Sequence, residues 1–230
     1  MEKEQLLHIL RELREKSPKR KFSQTFDLVI NLQGIDIKKP EQKVDFYINL
    51  SKPTGKLKKI CGLVDVQLAA QAKEHFDRVI LKEEFQTWSK NKKEQKKVAE
   101  ECDYFVAQAE LMTHVAANFG KVFGPKGKMP NPKAGCVVPA TAQLAPLVAR
   151  LKTLVRVQNK NDLTIKVPIG AESQKDEDVA DNILAVYNTI LTKLPQDKNN
   201  VKNTSIKLTM GPLFKIEAAK RVTEDQKRKK

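Results

Sequence analysis

The feature that most constrains this fold is an apolar alternation that appears near the start of the chain, stops, and returns after residue 159. In FSQTFDLVINL, Phe22, Phe26, Leu28, Ile30 and Leu32 share one parity while Thr25 and Asp27 take the other. In KVDFYINL, Val44, Phe46, Ile48 and Leu50 alternate with Asp45, Tyr47 and Asn49. Side chains of a strand point to opposite faces in turn, so both segments read as half-buried strands, and the two are expected to pair antiparallel. Beyond Asn159 the pattern resumes with Leu163, Ile165, Val167 and Ile169 against Thr164 and Lys166, and again with Ile206 and Leu208 against Ser205, Lys207 and Thr209.

Between these blocks the period changes. KICGLVD, RVILKE and DYFVAQ are short apolar strands, separated by helical stretches at Val66 to Phe76 and Lys90 to Cys102 and followed by one at Leu111 to Phe119. Strands alternating with helices signal a wrapped α/β unit. A further helix is expected after Pro139, bearing Leu144, Leu147, Val148, Leu151 and Val155, with Pro146 shortening or kinking it. The expected fold class is therefore α/β in two domains. A discontinuous α+β domain, residues 1–58 and 157–230, has an antiparallel sheet packed by helices, and an inserted α/β domain spans 59–156. The helices of the first domain are residues 2–15, with Leu6, Leu10 and Leu13 on one face and a stop at Ser17-Pro18, and a segment opened by Asp176, Glu177 and Asp178. Two chain crossings between the domains make a natural hinge.

Charge narrows the partners. The chain of 230 residues carries 43 Lys and Arg against 28 Asp and Glu, a net +15, and so attracts polyanions and releases their counterions on binding. Nucleic acid leads the partners, and a membrane does not fit: no apolar run approaches the ~20 residues of a span. MEKEQLLHIL reads as neither a secretion nor a myristoylation signal, so a cytoplasmic protein is expected. Cys61, Cys102 and Cys136 lack C-x-x-C spacing, and His8, His75 and His114 are scattered, so no metal site or catalytic dyad is expected. No cofactor is expected either.

The polar parity of the first domain, Thr25, Thr164, Lys166, Ser205, Lys207 and Thr209, suits the wide, shallow minor groove of helical RNA, though such residues are also ordinary on a solvent-facing strand. Phe22 beside Lys19, Arg20 and Lys21 reads either as a stacking aromatic or as a core residue. Thr209-Met210-Gly211-Pro212 reads as a close-approach turn or as a plain strand end. FGKVFGPKGKMPNPKAG holds four lysines, Lys121, Lys126, Lys128 and Lys133, and no acid. It fails as a P-loop, because Met129 stands where Ser or Thr must hold magnesium and Val122 where the first glycine belongs. Gly124-Pro125-Lys126-Gly127 matches the short GxxG of the KH module with only two fixed positions. The alternative to RNA binding is an α/β enzyme that holds a phosphorylated substrate at this loop.

The run from Phe123 to Gly135, FGPKGKMPNPKAG, resembles the signature loop of the ribosomal protein L-one family, the large-subunit stalk protein, in an archaeal-like form. Lys21-Phe22 with Thr25, and Thr209 to Pro212, resemble that family's two other motifs in the same order. The resemblance implies a non-enzymatic ribosomal protein whose first domain binds large-subunit ribosomal RNA through Lys21, Phe22, Thr25, Ser205, Thr209, Met210 and Gly211. It implies a Rossmann-like second domain that binds no dinucleotide and faces exit-site tRNA, with the loop lysines as contacts there, and repression of the protein's own mRNA. Off the ribosome a monomer is expected. Two positions depart from the family pattern: Gln24, where an acid is frequent, and Cys136, where Thr is usual.

Overall fold

A computed structural model describes residues 2–37, 39, 42–159 and 162–216. The basic tail Lys227 to Lys230 lies outside the described residues. In chain order the first elements are α1 (Lys3–Lys16), β1 (Thr25–Leu32), β2 (Asp45–Asn49), β3 (Ile60–Val64), α2 (Val66–His75), β4 (Arg78–Leu81), α3 (Phe85–Lys90) and α4 (Lys92–Glu101). Then come β5 (Tyr104–Gln108), α5 (Met112–Phe123), β6 (Val137–Val138), α6 (Leu144–Thr153), β7 (Leu154–Gln158), β8 (Thr164–Ala171), α7 (Asp176–Lys193), β9 (Val201–Leu208) and β10 (Leu213–Ile216). The chain divides into two compact units, Met1–Lys56 with Val155–Lys230, and Leu57–Leu154.

The first unit is built on an antiparallel sheet in the order β10-β9-β1-β8. Its register places Leu28 of β1 between Val167 and Ile206, so the apolar parities of three strands coincide on one face. The leucines of α1 and the stripe Val179, Ile183, Val186 and Ile190 of α7 join the same core. Ser17, with ψ near 136°, takes the extended conformation demanded before Pro18 and ends α1. Asp176, Glu177 and Asp178 fill the first turn of α7, where the helix dipole favours negative charge.

One expected pairing is replaced. β2 pairs with β7 in a separate two-stranded sheet, and β1 is flanked on both sides by strands from the end of the chain. Alternation fixes which face a strand buries but carries no information about its neighbour. The bidentate Arg156–Asp45 contact, at 2.9 and 3.0 Å, is cross-strand chemistry that alternation does not report. Val155, expected on a helix, lies in β7, and Leu163 lies outside β8 and is 39% exposed. Phe22 also lies outside β1, with 53% of its surface exposed, so the core reading of this aromatic is overturned. Its parity is broken by Gln24, and the strand begins only at Thr25.

The second unit holds a parallel sheet in the order β4-β3-β5-β6. A cluster of Phe85, Phe105, Phe119 and Phe123 fills its core, with ring centroids 4.4 to 5.3 Å apart. α3 and β6 were not expected from the sequence, and α5 runs four residues further than its apolar pattern suggested. Pro146 falls in the first turn of α6, where its missing N–H would have had no helical partner, so the helix forms around it.

Candidate nucleic-acid interface

Antiparallel pairing brings four segments to one end of the first unit's sheet: the entry to β1, the exit of β9, the start of β10 and the end of β8. The ladder runs one step past β9. Thr209 N–H donates to Thr25 O at 3.1 Å, and Thr25 N–H donates to the Thr209 hydroxyl oxygen at 3.1 Å. The threonine side chain thus stands in for a main-chain acceptor and fixes how the turn leaves the sheet.

Gln24 organises the rest. Its side chain is fully buried, its Oε1 accepts from Met210 N–H at 3.1 Å, and its Nε2 donates to Pro18 O at 3.1 Å. Its own N–H donates to Glu172 Oε2, and Glu172 N–H donates back to Gln24 O at 2.8 Å. Arg14 secures the Glu172 segment from α1, donating to Asp176 Oδ1 and Gln174 O, both at 2.7 Å, and to Glu172 O, with its guanidinium 5.0 Å from the Phe26 ring centre. Gly211 closes the turn by donating to Leu208 O at 3.0 Å, and its Cα lies so near α1's end that an added Cβ would meet Ser17 Oγ at 2.6 Å. Ser17 Oγ is buried and has no hydrogen-bond partner among the described residues.

On this rigid base Lys21 and Thr209 are exposed, Thr25 and Gly211 half-buried, and Phe22, Met210 and Leu213 expose 53%, 56% and 54% of their surfaces. The other candidates extend down the open sheet face. Lys207 stands opposite Asp27, and Lys166 and Ser205 flank Val29. Lys166 on the edge strand is exposed, but Ser205 is only 1% exposed, because a short side chain on an interior strand is overtopped by Val29 and Lys215 beside it. Burial raises the Asp27 carboxyl above its usual range, and Lys207 offsets part of that shift. Further along the face, Asn31 donates to Asn203 at 2.6 Å and accepts from the Thr164 hydroxyl at 3.0 Å.

In the second unit the four loop lysines separate. Lys126 Nζ donates to Glu100 Oε1 at 2.7 Å and to Lys96 O at 3.2 Å, and Lys128 Nζ donates to Cys102 O and Asp103 O at 3.0 and 3.2 Å. These two hold the loop on the C-terminal end of α4. Lys121 and Lys133 are exposed. The loop does not resemble a phosphate cradle: the N–H groups of Gly124, Gly127, Lys128, Gly135 and Cys136 all donate to carbonyls of the loop or of α5. At the strand ends where an α/β enzyme would receive an anion, Asp65 caps α2 by accepting from Val66 N–H at 2.8 Å, and the buried Gln108 accepts from Asp65 N–H. Cys136 packs inside, where burial pushes its thiol up to about 11. Among the described residues, no cluster of three or more metal-ligating side chains occurs, and no helix is long and apolar enough to cross a membrane.

Residues 13–212 match the model of the ribosomal protein L1p/L10e family. The chain belongs to that family. Among its relatives named large ribosomal subunit protein uL1, the protein of Methanothermococcus thermolithotrophicus is 41% identical over 94% of this chain and 100% of its own length. That of Methanocaldococcus jannaschii is 38% identical over 96% and 98%, and that of Thermococcus kodakarensis 36% over 94% and 98%. All three are archaeal, in keeping with the archaeal-like loop. Membership in the L1p/L10e family makes the chain a ribosomal, non-enzymatic protein. Sequence reasoning missed the supports of the interface: Arg14, Ser17, Glu172 and the structural task of Gln24. Only Gln24 gave a signal, as a departure from the family pattern.

Proposed function

We propose that this structural protein of the large ribosomal subunit binds large-subunit ribosomal RNA at the end of the first unit's sheet, through Lys21, Phe22, Thr25, Thr209, Met210 and Gly211. Lys166 and Lys207 extend the contact along the open face, and Ser205 serves as the small, buried floor between them. The observation that carries this reading is the pair of exposed apolar side chains, Phe22 and Met210, beside a backbone turn held from beneath by the buried Gln24. An exposed aromatic next to a basic segment stacks on a base or packs under a ribose, and a pre-ordered turn approaches the RNA without an ordering cost on binding. Lysines supply salt-sensitive attraction, while the small patch selects the RNA shape.

The second unit, with Lys121 and Lys133 exposed on its loop side, faces exit-site tRNA in the ribosome. The same patch on the first unit recognises the protein's own mRNA where a leader segment reproduces the ribosomal site, and so represses translation. Off the ribosome the chain is a cytoplasmic monomer. One experiment tests the rRNA and mRNA readings together: competition among an rRNA fragment, the leader mRNA and a scrambled duplex, measured across a salt series. Preference for the first two over the duplex at every salt supports the reading. Equal affinity for all three would reduce the protein to a polyanion binder.

A further inference from the structure

α4 carries most of its charges the wrong way round. Lys92, Lys93, Lys96 and Lys97 fall among its first six residues with Glu94 as the one acid between them, and Glu100 and Glu101 close it. A helix dipole favours the opposite order, and like charges four residues apart, as in Lys92–Lys96 and Lys93–Lys97, repel. The acids are neutralised from outside the helix: Lys126 pairs with Glu100 at 2.7 Å and Arg78 with Glu101 at 3.5 Å. None of the four lysines makes an ion pair among the described residues, and all four are exposed. The buried side of α4 is formed by Gln95, Val98 and Ala99. At 100° per residue Lys93, Lys96 and Lys97 lie away from that side and Lys92 at its margin, as a stripe with ~6 Å between successive turns. Gln95 anchors the helix rigidly by donating to Trp88 O at 2.7 Å and Asn118 O at 3.2 Å. A lysine stripe that works against its own helix's dipole, while the helix's terminal acids take their ion pairs from Lys126 and Arg78, marks a functional surface.

We propose that the α4 stripe is a second RNA contact, which binds the phosphate backbone without regard to sequence and acts independently of the first unit's patch. It rests on the reading of the protein as an RNA binder. Clustered ammonium groups suit closely spaced phosphates, whereas no apolar side chain interrupts the stripe to anchor a protein partner.

The test uses the full chain with Lys92→Gln, Lys93→Gln, Lys96→Gln and Lys97→Gln combined. Affinity for the rRNA fragment and for a scrambled duplex is measured from low to physiological salt. The slope of log affinity against log salt should fall by about 3 for both RNAs, from four lost phosphate contacts. Thermal melting should change little, since removing the dipole conflict and the repulsions is offset by losing the attraction of Lys96 for Glu100. An unchanged slope with both RNAs overturns the proposal, as does weakened binding to a poly-glutamate peptide with RNA affinity intact, which would assign the stripe to an acidic protein. The two readings fail separately: loss of preference for the rRNA fragment in the unaltered protein counts against the first unit's patch, while the slope difference between variant and parent still reports on α4.

Discussion

Replacing Gln24 by Met tests whether the interface depends on order beneath its surface. Methionine matches glutamine in length, so Gln24→Met leaves no cavity but removes the acceptor for Met210 N–H and the donor to Pro18 O, both at 3.1 Å. Each lost hydrogen bond is worth about 1 kcal/mol net. Pro18 and Met210 are both exposed, so water reaches the freed groups and the full desolvation cost is not incurred. The expected loss of stability is therefore about 1–2 kcal/mol, read by urea unfolding followed by circular dichroism.

The effect on RNA should be larger than the fold requires. Untied, the Met210-Gly211 segment must be ordered at the moment of binding, at about 1 kcal/mol per residue, which makes about 2 kcal/mol or roughly 30-fold in affinity. Fluorescence anisotropy with the rRNA fragment measures it. No charge changes, so the salt slope should stay as it was. Affinity within twofold of the parent, at the expected cost in stability, would refute the idea that a pre-ordered turn selects the RNA.

Gly211→Ala should destabilise the protein by about 1–3 kcal/mol and weaken rRNA-fragment binding, because the new Cβ meets Ser17 Oγ at 2.6 Å and Leu208 Cβ at 3.1 Å. Adding Ser17→Ala removes the closer obstacle and should restore much of the loss, which a double-mutant cycle by urea unfolding detects as coupling. Lys128→Met should cost about 1–2 kcal/mol by freeing the Cys102 and Asp103 carbonyls, yet leave the RNA salt slope unchanged, since this ammonium faces protein. Lys58, which donates to Leu154 O, is pushed down to about 8 by burial, with Asp103 opposing the shift. Because the unfolded chain then binds more protons between about pH 8 and the ordinary lysine range near 10.4, stability should rise with pH across that window, and Lys58→Met should abolish the rise in pH-dependent unfolding curves.

What the sequence disclosed and what it concealed follow from the physics of each signal. β8 and β9 were legible because a strand half-buried against helices must alternate, and Leu28, Val167 and Ile206 do so in register. The partner of β2 was not, since alternation is the same whichever strand lies beside it. β10 is only four residues long and follows Pro212, so its pattern is too short to register. Among the interface residues, Thr209, Met210 and Gly211 were found through a turn signal. Arg14 escaped because its partners Glu172, Gln174 and Asp176 are about 160 positions away in sequence, and distant polar pairing leaves no local trace. Lys126 and Lys128 show the reverse error: a run of cations without acids reads as free charge, yet these two are consumed by the end of α4.

That consumption bears on how the protein divides its labour. A net charge of +15 measures attraction only where the cations are unspent, and the structure shows them spent unevenly. Around the first unit's patch, Arg14 is committed to the Glu172 segment and Lys16 to Glu12 at 2.9 Å, while Lys19, Arg20 and Lys21 stay exposed beside Phe22, so charge attracts there and selectivity must come from shape and stacking. On α4 the committed cations are Lys126 and Arg78, and their effect is to pair with the helix's terminal acids and leave its four lysines without an ion pair among the described residues. If the two surfaces act independently, the variants separate cleanly. Changes beneath Met210 should alter which RNA is preferred at constant salt slope, and changes on α4 should alter the slope at constant preference.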